Sequence, residues 1–257
     1  MKLSSIKEFF ISLRFNEKFH LGLGDIRLTL AMQEKIIDKI EKLEQEIKRL
    51  KSRIWEWIKM FYIGMDLSLE CSGLSIINDN GTTVLTAAIK SNRLGDNIED
   101  RFERYYNILD QIVVILESYM NKISCIAIEQ ISYGSQGRIV QLAESATLIK
   151  DYVLKGKNKD CNIIEVAPKS LKKFILGKVE SKGKNSKKLI VEKVNYEYNE
   201  KIEDDNIADS LVLAQIAKCY FETKNNICEK EYFKYQKEVV VQLLKKYKFK
   251  EDVKNVR

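Results

Sequence analysis

The stretch Ile63-Gly64-Met65-Asp66-Leu67-Ser68-Leu69-Glu70-Cys71-Ser72-Gly73-Leu74-Ser75-Ile76-Ile77 decides how the rest of the chain is read. An apolar run carries one aspartate, Asp66. A small-polar turn follows (Ser68, Ser72, Gly73), and then a second apolar run that ends before Asn80-Gly81. The pattern predicts a β-hairpin with a carboxylate set into a strand suited to burial. Burying an unpartnered carboxylate costs several kcal/mol, roughly. Such an acid therefore has a bound cation, a paired base or a place on the solvent side of the sheet. The hairpin alone leaves these three open.

Working outward, Thr82 to Ile89 reads as a third strand after the Asn80-Gly81 turn. Asn97 to Met120 reads as a helix with Ile98, Phe102, Tyr105, Ile108, Leu109, Ile112 and Leu116 on one face. Ile123 to Ile128 is apolar enough to be a central covered strand, and it ends on a second acid, Glu129. A Gly-containing loop around Tyr133, a helix from about Arg138 to Leu154 and a short strand, Asn162 to Val166, come next. Pro168, the only proline, closes that strand.

Residues 169 to 193 concentrate the basic charge, with Lys169, Lys172, Lys173, Lys184, Lys187 and Lys188 among nine lysines against Glu180 and Glu192. Gly177 and Gly183 divide the segment into two short helices around a loop. A solvated helix face is the plain reading of such a run, and a phosphate-binding surface is the sharper one. Asp204-Asp205-Asn206-Ile207-Ala208-Asp209 then leads into an apolar helix, Leu211 to Tyr220. Asp205 and Asn206 share the face of Asp209, whereas Asp204 does not. N-capping would account for Asp205 or Asn206 but not for Asp209. Glu229 to Lys250 reads as a lysine-rich amphipathic helix, a surface element or basic tail.

Upstream of the hairpin, residues 1–33 show no assignable chemistry. Within 34–60, Ile36, Ile40, Leu43, Ile47, Leu50, Ile54 and Trp57 recur in a heptad. Isoleucine at a with mainly leucine at d favours a parallel dimeric coiled coil, with Lys39 opposite Glu44 and Glu46 opposite Lys51 across the seam. An amphipathic helix packed on its own domain is the alternative. Residues 61–257 then form the chemistry-bearing domain.

Composition narrows the classes. The 257 residues, 45% of them apolar, can bury a sizeable core. No apolar run is long enough for a membrane span and the N-terminus argues against a secretory signal, so a cytoplasmic protein is expected. Five scattered cysteines without a Cys-x-x-Cys pair and a single histidine, His20, give neither a disulfide framework nor a zinc site. The net charge of +7 favours an anionic partner.

Three acids thus stand where one β/α sheet could gather them: Asp66, Glu129 and Asp209. Oxygen ligands suit hard cations such as Mg²⁺. Two such ions side by side assist phosphodiester displacement. Histidine- and cysteine-based triads lack their base, and no phosphate-loop motif occurs.

With these stretches in order, the chain resembles the RuvC-type Holliday junction resolvases of the ribonuclease H-like superfamily, in particular the divergent phage, poxviral and mitochondrial branches. The matching segments are Gly64-Met65-Asp66-Leu67-Ser68 with Ser72-Gly73, Ile126-Ala127-Ile128-Glu129-Gln130, Ala167-Pro168 through Lys188, and Asp205 through Ser210. The resemblance covers residues 61 to 222. It implies an α/β fold with a ribonuclease H-like five-stranded mixed sheet flanked by helices, a homodimer, and Mg²⁺-dependent paired nicking of four-way DNA junctions, with Mn²⁺ a possible substitute. It makes Asp66, Glu129 and Asp209 metal ligands, and Lys172 and Lys187 active-site lysines near the cleaved phosphate.

Two positions depart from the family. Its fourth ligand lies three residues before the last aspartate, where this chain has Asn206, so the role passes to Asp205 or weakens. Its aromatic wedge lies three residues after the glutamate, where this chain has Ser132 with Tyr133 beside it. Tyr133 is a stacking group or a loop-packing residue. With Arg138, Lys169, Lys172, Lys173, Lys184, Lys187 and Lys188 it makes up the expected DNA-binding set. The rival readings are a ribonuclease H-like nuclease acting on RNA–DNA hybrids or in transposition, and a non-catalytic junction-binding coiled-coil scaffold.

Overall fold

The structure, a computed structural model, describes residues 35, 37–43, 45–46, 60–131, 138–156, 161–177, 184–228 and 231–254, with backbone alone at 184–185 and 248–254. The chain divides into two compact units, Met1–Ile58 and Lys59–Arg257. In the first, the described residues within 35–46 are helical. The remaining heptad positions of the expected coiled coil, and residues 1–33, lie outside the described residues.

The second unit runs β1 (Phe61–Asp66), β2 (Cys71–Asn78), β3 (Thr83–Lys90), α1 (Ile98–Glu117), a 3-10 turn (Met120–Lys122), β4 (Ile123–Glu129), α2 (Ile139–Gly156), β5 (Asn162–Val166), α3 (Pro168–Leu176), α4 (Lys184–Tyr198), α5 (Asp205–Asn225) and α6 (Lys234–Lys254). One sheet in the order β3-β2-β1-β4-β5 carries them. The meander β1-β2-β3 is antiparallel, and β1-β4 and β4-β5 are parallel. This is the expected five-stranded mixed sheet flanked by helices.

The sheet's two faces are built from different residues because side chains alternate along a strand. Ile63, Met65, Leu74, Ile76, Ile126 and Ile128 share a core with Ile108, Ile112 and Leu116 of α1 and Ile149 and Val153 of α2. The opposite face carries Gly64, Asp66, Gly73 and Ser75, and α5 lies directly on it. A Cβ at Gly64 would sit 1.9 Å from the carbonyl oxygen of Ser210, and one at Gly73 would sit 1.9 Å from that of Asn206. Only glycine admits so close a helix. Ser75 and Ser210 complete the contact with hydroxyl oxygens 2.6 Å apart. Accordingly α5 is buried at every position from Ser210 to Glu222, which explains why it is apolar nearly all round.

Three expectations are corrected. Ser72 and Gly73 are not turn residues; they lie within β2, and the turn is the shorter segment 67–70. The capping residue of α5 is Asp204, whose Oδ1 accepts from the Asn206 and Ile207 amides at 2.8 and 3.3 Å. The last helix is no mere surface element or tail. Val239, Val240 and Leu243 of α6 are buried, Lys173 pairs with Glu238 at 2.7 Å, and the Glu165 amide donates to the Tyr247 hydroxyl at 2.6 Å.

Candidate active site

β1 and β4 lie side by side and parallel, with Met65 opposite Ile128, so their C-terminal residues Asp66 and Glu129 are neighbours at one end of the sheet's central strands. Across β1 the register partner of Asp66 is Gly73. The missing side chain there lets the Asn206 carbonyl, and with it the first turn of α5, descend beside Asp66. Asp205 opens that helix and Asp209 follows one turn later. Backbone pairing thus brings the first two acids together, and two glycines bring in the helix that carries the others.

The charges are out of balance. Burial, the Asp66 charge, a hydrogen bond with Asp66 and the Asp209 charge push the Glu129 carboxyl up to about 9. Burial likewise raises Asp66, although the Glu129 hydrogen bond and Lys187 pull the other way. Asp209 rises to about 7, through burial first and Asp66 second. Carboxylates this close in a poorly solvated site cannot all ionise. Glu129 therefore keeps its proton at neutral pH and donates it to Asp66. Asp209 Oδ1 is buried without a hydrogen-bond partner among the described residues.

Lysines face this cluster from α3 and α4. Lys187 is ion-paired with Asp205. The hydrogen bond to Asp205 raises its ammonium, and the charges of Asp205, Asp209 and Asp66 add to the shift against the lowering effect of burial. Lys172 Nζ donates to Ser186 Oγ at 3.2 Å, and its charge reaches both Glu129 and Asp209.

The other basic residues singled out in the sequence are dispersed. Lys173 is drawn to Glu238 on α6. Lys188 lies 3.8 Å from Glu192 on an exposed face. Lys169 and Arg138 are exposed. Lys184 opens α4, and Tyr133 lies outside the described residues. Asn206 is hydrogen-bonded to Cys71, so Asp205 rather than Asn206 stands with the acids. Among the described residues no group of three or more His, Cys, Asp or Glu side chains is placed so that it could hold a metal ion. The acids instead balance their charge with a shared proton and with Lys187.

Sequence reasoning missed the part played by Gly64 and Gly73 in seating α5. Both were quoted for their motif, and the readable signal was small residues (Gly64, Gly73, Ser75) recurring on one face of two adjacent strands.

A family model described as crossover junction endodeoxyribonuclease RuvC matches residues 62–217. The chain belongs to the RuvC family. It is thereby placed in a family of nucleases, and the matched span runs from β1 through the first half of α5, taking in all four acids. A search of curated proteins returned no match. Among solved structures, Thermus thermophilus RuvC in complex with Holliday junction substrate superposes with a TM-score of 0.50 at 13% identity, over 65% of this chain and 97% of that one. A second Thermus thermophilus RuvC structure gives 0.50 at 14%, over 65% and 98%. At such identities the likeness concerns the RuvC fold. No helix among the described residues is long and apolar enough to cross a membrane.

Proposed function

We propose that this RuvC-family protein is a Mg²⁺-dependent, structure-selective endonuclease that resolves four-way DNA junctions by paired symmetric nicks as a homodimer, with Mn²⁺ able to replace Mg²⁺. One observation carries the reading: buried Asp66 and half-buried Glu129 stand at adjoining strand ends, with a buried Asp209 oxygen that has no hydrogen-bond partner among the described residues. A purely structural site would not gather acids at this cost.

The donor set fits a hard divalent cation, since every candidate ligand is a carboxylate oxygen. Asp66, Glu129 and Asp209 would hold the ions, with Asp205 completing the set. Bound divalent cations would supply an activated water and stabilise the leaving oxygen of the phosphodiester. The chain's own groups do the rest. Lys172 and Lys187 offer ammonium groups to the cleaved phosphate, and Lys187, held by Asp205, stands ready beside the acids. Arg138, Lys169 and Lys188 offer exposed cations to neighbouring phosphates, and Lys173, Lys184 and Tyr133 complete the proposed DNA-contacting set. Twofold symmetry of a dimer matches that of the junction. The heptad segment supports dimerisation or spaces the two sites.

The test is cleavage of a synthetic four-way junction, with RNA–DNA hybrid and linear duplex as controls, with and without Mg²⁺, for wild type and Glu129→Gln. Junction-selective, Mg²⁺-dependent cutting that Glu129→Gln abolishes is the expected result. Preferred cutting of the hybrid, or junction binding without cutting, would replace the proposal with one of its rivals.

A further inference from the structure

The turn that follows Asp66 is tied to two further elements. Residues 67–70 join β1 to β2. Within this turn the Ser68 amide donates to Ser72 Oγ at 2.9 Å, and Ser72 Oγ donates to the Ser68 carbonyl at 2.7 Å. The Leu69 carbonyl lies outside both strand ladders and is met from elsewhere. Ser91, just past β3, donates to it from Oγ at 2.6 Å, and the Ser91 amide donates to the Glu70 carbonyl at 3.2 Å. From α1, Arg104 Nη2 donates to the same Leu69 carbonyl at 2.6 Å, and Nε donates to Ser91 Oγ at 3.1 Å. Leu69, Ser91 and Arg104 thus close a ring of three hydrogen bonds.

Arg104 is only 5% exposed, and among the described residues its partners are a carbonyl and a hydroxyl rather than a carboxylate. A buried cation held by neutral acceptors costs stability that an apolar side chain of similar volume would not. What the guanidinium offers instead is geometry, because its donors form a rigid planar fork. The chain it grips lies next to the acids. Leu69 is itself buried, 7% exposed, and comes three residues after Asp66, at most about 10 Å along the chain. Pairing with Gly73 fixes Asp66 across the strands, and the ring fixes the backbone that leaves it. Because α1 packs on the sheet face opposite α5, Arg104 reaches this turn from behind the acidic site.

We propose that Arg104 is a positioning residue of the acidic site. The ring it closes with Ser91 and the Leu69 carbonyl sets the path of the chain after Asp66, and hence where the Asp66 carboxylate is presented to a divalent cation. The proposal rests on the nuclease reading above and names a residue, remote from the metal ligands, on which that site depends. Groups that orient a ligand from one layer out are worth about ten- to a hundredfold in metal affinity.

The experiment titrates Mn²⁺ into the full-length protein without DNA, by calorimetry, beside the melting temperature in chelator and the Mg²⁺ concentration that half-saturates junction cleavage. Arg104→Met removes the fork and leaves an apolar side chain in its place. It should weaken Mn²⁺ binding per folded molecule about ten- to a hundredfold and raise the half-saturating Mg²⁺ in step, whatever it does to the melting temperature. Ser91→Ala removes the hydroxyl from the ring and should act in the same direction; it carries the test if Arg104→Met does not fold. The double variant should cost less than the two single effects combined, since the three groups act as one unit. Glu222→Ala, far along α5, should lower the melting temperature and leave Mn²⁺ affinity unchanged; an equal shift there overturns the proposal. So do Arg104→Met and Ser91→Ala proteins that melt lower but bind Mn²⁺ as wild type does, with the nuclease reading left standing. Wild type that neither binds Mn²⁺ nor cuts the junction overturns the nuclease reading itself, and the proposal with it.

Discussion

The two ends of α5 both bury carboxylates and treat them in opposite ways. In its C-terminal half, Glu222 is ion-paired with Lys218, accepts from the Tyr232 hydroxyl at 2.7 Å and lies 3.9 Å from the Cys228 thiol. Gln215 nearby donates to the Gly81 carbonyl at 2.9 Å. Burial and the Glu222 charge push the Tyr232 hydroxyl well up, so it stays a donor. Every charge there has its counter-charge within the chain. At the N-terminal end, Asp209 has an oxygen unpartnered among the described residues, and burial with the Asp66 charge pushes the Glu129 carboxyl up. A buried charge that the chain balances serves stability. One that it leaves unbalanced is suited to a ligand that brings the missing charge.

That contrast can be broken most severely at Glu129. Glu129→Gln keeps the shape of the protonated side chain, so junction cleavage should fall by at least about a thousandfold. The melting temperature in chelator at neutral pH should meanwhile hold or rise. A joint loss of activity and stability would mean that both ends of α5 are structural. The mirror experiment is Glu222→Ala, which strands buried Lys218 and should cost about 3–5 kcal/mol in denaturant unfolding, with cleavage per folded molecule unchanged. Gly64→Ala probes the seat common to both ends. Its methyl would overlap the Ser210 carbonyl, and a loss of at least about 1–3 kcal/mol is expected.

A pH series sharpens the comparison further. Glu129 titrates near 4.5 when exposed and at about 9 in the fold, and Asp209 moves from 3.8 to about 7. Between these values the folded state holds protons that the unfolded chain has released. The stabilising contribution of each group is therefore complete at acid pH and is lost as pH rises through the window. The melting temperature in chelator should fall from about pH 5 to about pH 9. Glu129→Gln should flatten the curve, and Mg²⁺ should do so by replacing the protons. The smallest effect on folding is expected at Lys187, whose side chain is 59% exposed. Lys187→Ala should change stability by less than about 1 kcal/mol, whereas a role at the cleaved phosphate would show as a much larger drop in cleavage rate.

Much of the fold could be read from the sequence because its signals are local. The two apolar runs within 63–77, the continuous apolar strand ending at Glu129, the Asn80-Gly81 turn and the only proline placed most strands and helices to within a few residues. The principal acids could be read for the same reason: a carboxylate at the end of an apolar run stands out wherever the run ends up. The Lys218–Glu222–Tyr232 network was not recognised, although Lys218 and Glu222 stand at i and i+4 in an otherwise apolar helix, which was the signal available. Arg104 gave no signal at all, since an arginine on an amphipathic helix is ordinarily solvated.

The sequence by itself determined which residues are strand, which are helix, and which side chains carry charge into them, because periodicity and turn chemistry act over a few neighbours. Only the tertiary structure decided that Asp204 caps α5 while Asp205 joins the acids, that Lys172 faces the site while Lys173 turns to α6, and that Arg104 of α1 is buried with its guanidinium on Ser91 Oγ and the Leu69 carbonyl. Those outcomes depend on how closely α5 can approach Gly64 and Gly73 and on which helix packs over which strand. Such long-range distances are set by steric fit between segments far apart in the chain.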